Sequence, residues 1–167
     1  MWASLVSIPV LGLAVMLQTT ILSRINLLSG NADLILLILA AWALQERVKH
    51  AWVWALVAGV LIAYVSGLPW YIYLISYLTV VGVARLLTRS VWQAPLLAMF
   101  SVSLIGTLVL QMSTFVTLTL SQVQLSLGEV LAKIVLPSLL LNLLLAIPVH
   151  ALIRDLAERL FPMEAEP

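Results

Sequence analysis

Apolar residues run nearly unbroken along this chain in six blocks, separated by short polar clusters. The blocks fall at 2–22, 33–45, 51–66, 70–87, 92–120 and 130–153. A helix needs about 20 apolar residues to cross a bilayer, and most blocks approach or exceed that length. Strands of a membrane barrel would alternate apolar and polar over about ten residues, and these continuous runs do not. A helix pairs every backbone group within its own segment, which lipid requires. The pattern predicts an all-α integral membrane protein with six transmembrane helices, forming a single membrane domain over 1–167.

The polar clusters set the expected ends. Pro9 falls inside the first block and is expected to kink it, and Gln18, Thr19 and Thr20 mark its far end. Asp33 heads the second block. There its carboxylate, or the Asn31 side chain, would cap free N–H groups, the charge of Asp33 meeting the positive helix end; a proton-relay role for Asp33 is the alternative. Residues 46–50, Glu-Arg-Val-Lys-His, read as a charged turn, with His50 facing water or headgroups. Gly67 and Pro69, two residues apart, break the third block. Between 117 and 125 polar and apolar residues nearly alternate, predicting an extended segment, and 126–129 reads as a loop and cap. The sixth block carries Lys133, Asn142, Pro137 and Pro148. Beyond it, 150–161 sets Leu152, Ile153, Leu156 and Leu160 opposite Arg154, Asp155, Glu158 and Arg159, the pattern of an amphipathic surface helix. Residues 163–167 read as a disordered acidic tail.

Two stripes stand out. In the third block every fourth residue is small: Ala51, Ala55, Gly59, Ala63 and Gly67, with Ala58 beside them. At 3.6 residues per turn these share a face that lets another helix come close, the main source of helix association in lipid. The sequence therefore places this helix at the centre of the bundle. The partner is either another helix of this chain or a helix of another protein. In the fifth block Ser103, Gly106, Thr107, Gln111, Thr114, Thr117 and Ser121 recur at spacings of three and four. Such residues bond neighbouring helices or their own carbonyls; a solute path is the sharper alternative. Asn142, the most interior polar group of the sixth block, reads as an interhelical hydrogen bond, with ligand contact as the alternative.

Composition narrows the chemistry. The chain is 63% hydrophobic and 9% charged, with a mean hydropathy of +1.16. A soluble domain is about 25% charged. Cysteine is absent, which excludes disulfides and thiol chemistry. The net charge of +1 and the lack of any basic cluster give no reason to expect nucleic acid. The first block lacks a basic n-region and is long for a signal peptide, so it is expected to be retained. Basic residues set the orientation. With the N- and C-termini inside, Arg47, Lys49, Arg85, Arg89, Arg154 and Arg159 lie on the cytoplasmic side, and Arg24 and Lys133 lie outside. All six Trp fall near block ends, at the expected headgroup level. Arg24, Asp33, Lys133 and His150 also fall near ends, within reach of water. No paired carboxylates, metal-ligand spacing or phosphate loop is present, so neither an enzyme nor a cofactor is expected.

One resemblance covers nearly the whole chain. The run Leu17-Gln18-Thr19-Thr20-Ile21-Leu22, a loop, and Ala32-Asp33-Leu34-Ile35-Leu36 resembles the start of the rod shape-determining protein MreD family. So do the third-block run of 59–69 and the late run of 140–148. One departure is notable: the family often has an acidic residue about four positions before the Ser-Gly turn, where this chain has Ala63. The resemblance implies a non-enzymatic scaffold subunit of the bacterial elongation machinery in the inner (cytoplasmic) membrane. Its implied partners are MreC directly, and RodA, a penicillin-binding transpeptidase and MreB, together with membrane lipids. It also implies a fold similar to the S-components of energy-coupling-factor transporters. The alternative function is accordingly a substrate-binding subunit of a vitamin transporter, with a cavity near Gln111, Thr114 and Asn142. A lipid-handling protein is a third possibility.

Overall fold

A computed structural model of the chain describes residues 6–24, 27–48, 50–90, 94–124 and 126–161. They form a helical bundle: α1 (Ser7–Thr20), α2 (Leu34–Ala43), α3 (Ala51–Val65), α4 (Trp70–Ser90), α5 (Pro95–Leu120) and α6 (Leu127–Leu160). Helices α4, α5 and α6 are each long and apolar enough to cross a membrane, while α1, α2 and α3 are shorter apolar helices. The predicted starts at Trp2 and Trp92, and the tail of 163–167, lie outside the described residues.

The helix at the centre is α2 rather than α3. Nine of its ten residues are buried, and it packs against α1, α3, α4, α5 and α6. Its sequence, Leu-Ile-Leu-Leu-Ile-Leu-Ala-Ala-Trp-Ala, is apolar all round, as a helix enclosed on every side must be. The small-residue stripe of α3 pointed elsewhere because it reports close approach to one neighbour, and close approach differs from enclosure. That neighbour is α4, the most extensive helix pair in the bundle.

Several ends differ from the sequence reading. Helix α2 stops at Ala43, and α4 runs on to Ser90. Residues 117–120 stay helical, and the hydroxyls of Thr117 and Thr119 donate to their own i−4 carbonyls. Helix α6 begins at Leu127, inside the expected loop, and continues unbroken past 153 to Leu160. Its last turns bury Val149, His150, Ile153 and Ala157, and Leu152 stands exposed. The 150–161 segment is thus part of the bundle. Of the expected apolar face, Ile153, Leu156 and Leu160 turn inward, with Arg154, Asp155, Glu158 and Arg159 exposed opposite, and Leu152 departs from it.

Helix α6 contains one irregular turn, a π-helical stretch at Leu131–Val135. Pro137 explains it. Proline has no N–H, and its ring crowds the carbonyl four residues back, here Lys133. The widened turn turns that carbonyl outward, where the Ser29 N–H donates to it at 3.0 Å. The loop before α2 is held against α6 at this spot. Gly30 permits the approach: a Cβ there would lie 2.6 Å from the Ser138 nitrogen and 2.7 Å from the Pro137 Cβ.

The opposite end of α2 is closed by aromatics and arginines. Trp42 and Trp54 stack with ring centroids 4.1 Å apart, and Phe161 lies 6.3 Å from Trp42. These two indoles are core residues, unlike Trp52 and Trp70, which are exposed. Trp42 and Trp54 turn inward rather than toward the outside of the bundle, because the α2–α3 turn brings them face to face. Arg85 donates to the carbonyls of Gln45 and Val48, and Arg47 donates to that of Phe161.

Candidate functional site

Polar side chains gather at the N-terminal end of α2. Asp33 is the N-cap: its Oδ1 accepts the Leu36 N–H at 3.0 Å. Its Oδ2 accepts the Tyr77 hydroxyl at 3.3 Å, from α4. Its own N–H donates to Asn142 Oδ1 at 2.8 Å, from α6. Asn142 in turn donates through Nδ2 to Thr107 Oγ1 at 2.8 Å, and Thr107 donates to the Ser103 carbonyl at 2.7 Å. The Gln18 side-chain carbonyl, from α1, accepts the Ile35 N–H. The four free N–H groups at a helix start would be costly in an apolar interior. Here side chains of α1 and α6, with Asp33 itself, take up those of Asp33, Ile35 and Leu36.

A second node adjoins the first. Ser138 Oγ accepts the Asn31 N–H at 3.0 Å and the Gln111 amide at 3.3 Å. Residues of the polar stripe therefore divide by neighbour. Thr107 and Gln111 bond across to α6, directly or through Ser138. Thr114 donates only to its own Leu110 carbonyl at 2.9 Å, and the buried Ser103 hydroxyl has no partner. Asp33 is 8% exposed and Asn142 1%. Asp33 and His150 do not meet water as their place near block ends suggests, because neighbouring helices cover both. Arg24 and Lys133 are exposed, and Lys133 pairs with Glu129 at 2.8 Å.

The small-residue stripe splits in two. Ala51, Ala55 and Ala58 are fully buried, and Gly59 rests on Leu74 of α4, where a Cβ would come within 3.2 Å of the Leu74 Cα. Ala63 is half-buried, and Gly67 stands open with nothing within 4 Å of an added Cβ. Between these halves lies a lateral apolar groove of about 350 Å³, lined by Gly59, Val60, Ala63, Tyr64, Trp70 and Leu74. Trp70 and Tyr64 stand at its rim, Tyr64 87% exposed. Sequence reasoning found the glycine and alanine floor and missed the walls, because Trp70 and Leu74 come from the next helix.

A polar recess opens at the α5–α6 connection, lined by Thr119, Gln122, Val123, Gln124, Ser126 and Glu129. Gln122 adopts a left-handed conformation there, φ 63°. Among the described residues no group of three or more His, Asp or Glu is placed to hold a metal ion.

Fold and site together define an all-helical protein, among its described residues, with three helices long and apolar enough to cross a membrane. Asp33, Asn142, Thr107, Ser138 and Gln111 bind helix to helix in its interior. Neither a protein-family model, nor a curated protein, nor a solved structure matches the chain.

Proposed function

We propose that this protein is a non-catalytic membrane scaffold that crosses the bilayer six times with both termini in the cytoplasm. The observation that carries this reading is the use made of the buried polar side chains. Asp33, Asn142, Thr107, Ser138 and Gln111 bond to one another and to the start of α2, so their capacity goes into joining helices. What faces outward is apolar, and its clearest feature is the α3–α4 groove, with a glycine on its floor.

Such a groove suits a single apolar helix, since close backbone approach is the main attraction between helices in lipid. The resemblance to the MreD family names the candidate: the membrane span of MreC, with RodA, a penicillin-binding transpeptidase and MreB gathered through it in a bacterial inner membrane. The test is affinity purification in mild detergent, with copurifying proteins identified by mass spectrometry. Stoichiometric MreC supports the reading. Its loss from a Gly59→Leu variant that still folds assigns the groove. An ATPase pair with a coupling subunit, or a retained vitamin, would overturn it.

The polar recess of Thr119, Gln122, Gln124 and Glu129 favours a second reading, a solute-binding subunit, because amides and a carboxylate suit a small polar ligand. This recess lies away from Asn142, whose polar atoms are taken by Asp33 and Thr107. Thermal stabilisation by a vitamin panel separates the two readings.

A further inference from the structure

The two halves of the bundle differ in apolar height. Helix α3 has 15 residues, bounded by exposed His50 before it and by Ser66, Gly67 and Pro69 after it. At 1.5 Å per residue that is about 22 Å. Its outward face presents Trp52, Leu56, Val60 and Tyr64. Indole and phenol rings settle at the headgroup level, and these two lie about 18 Å apart along the axis at the same rise. Helix α2, shorter still at ten residues, is shielded from lipid on all sides.

Across the bundle, α5 has 26 residues, about 39 Å, with exposed apolar residues from Leu96 to Leu120. Helix α6 carries its own exposed row, Leu136, Leu140, Leu144, Ile147 and Leu152. The hydrocarbon of an ordinary bilayer is about 30 Å thick. A helix that is too long accommodates by tilting. One that is too short gains nothing from tilt; it thins the lipid beside it, snorkels its flanking residues or oligomerises, and the flank after α3, Ser66-Gly67-Leu68-Pro69, has no long charged side chain to snorkel.

We propose that the α3 face holds the adjoining bilayer to roughly two thirds of its ordinary thickness, making the protein a lateral wedge with one thin and one full-height side. Where no helix fills the groove that Val60 and Tyr64 share with α4, the partner for this face is lipid hydrocarbon of reduced depth. The proposal rests on α3 crossing the membrane, as the six-span reading has it. It adds a driving force to the groove beside α3: two short faces that meet share one thinned zone, so a short-spanned neighbour is drawn there.

The absence of cysteine makes a direct test possible. Single-cysteine variants Trp52→Cys and Tyr64→Cys, both at exposed positions, are reconstituted in dioleoylphosphatidylcholine vesicles and treated with a membrane-impermeant maleimide from either side. Glu46→Cys and Gly67→Cys serve as loop controls, and Val60→Cys as the mid-membrane position. Val53→Cys and Val65→Cys are second probes if either aromatic replacement fails to fold. The expected result is reaction of the two cysteines from opposite sides, each within about threefold of its loop control, with Val60→Cys unreactive, because thinned hydrocarbon leaves both ends at the interface. If α3 spans a bilayer of full thickness, one of the two sits in hydrocarbon and reacts at least about tenfold more slowly than its control, which overturns the wedge. If both react from the same side, α3 does not cross, and the six-span reading falls with the wedge.

Discussion

Asn142 is where the interior bonds can be weighed. Replacing it with Leu keeps the branched shape, with somewhat larger ends, and removes both of its hydrogen bonds. Thr107 loses a donor but keeps its own bond to the Ser103 carbonyl, so its share of the cost is small. The Asp33 N–H loses its acceptor in a site 8% exposed. A buried donor left without a partner costs about 1–3 kcal/mol. Measured interhelical bonds in lipid average about 0.6 kcal/mol and reach about 1.7, because the unfolded helices also find partners. Weighing these, Asn142→Leu should destabilise by about 2 kcal/mol, which is roughly thirtyfold in the folding equilibrium. The assay is reversible unfolding in mixed micelles with increasing dodecyl sulfate, followed by tryptophan emission. Thr114→Val is the contrast, since Thr114 bonds only its own helix; it should change stability by less than about 0.5 kcal/mol. A double-mutant cycle with Thr107→Val should return a coupling of about 0.6–1.7 kcal/mol between 107 and 142. Equal effects of the Asn142 and Thr114 replacements, or zero coupling, would refute the claim that these polar groups bind the bundle together.

Three further outcomes follow from the packing. Gly30→Ala should destabilise by about 1–3 kcal/mol in the same assay, since the added methyl meets the backbone of α6 and the loop can retreat only by breaking the Ser29 and Asn31 bonds to that helix. Trp42→Ala should cost about 3–5 kcal/mol by removing a buried indole stacked on Trp54, and Trp42→Phe should cost clearly less. Arg85→Leu leaves the carbonyls of Gln45 and Val48 without their donor, so hydrogen exchange around 45–48 should quicken while the amides of α2 stay protected.

The apolar blocks made most of this bundle legible, because an amphipathic or all-apolar period survives whatever the tertiary fold. Asp33 was readable as a cap from its place ahead of Leu34. The choice of central helix was not. Helix α2 is a plain run of Leu, Ile and Ala, and nothing in such a run distinguishes a helix in lipid from one enclosed by protein. At ten residues α2 is short for a span, and its shortness goes with its enclosure. The partners of Asn142 were hidden because they come from 107 and 33, on other helices. The widened turn before Pro137 was likewise out of reach, since Pro137 predicts a disturbance but not that Ser29 would meet it.

The link between Asp33 and Asn142 also carries an order of events. The two residues are 109 positions apart. At about 5–20 residues per second, a ribosome takes roughly 5–20 s to make the second after the first. During that interval the nascent α2 has ten apolar residues, less than a stable span requires, and an amide at its head awaiting its acceptor. Its seat is completed only when α6 emerges and delivers Asn142 and Ser138. Helix α6, made long after α2, is therefore the one that locks α2 into the bundle, and a chain cut short before 138 would release its own centre.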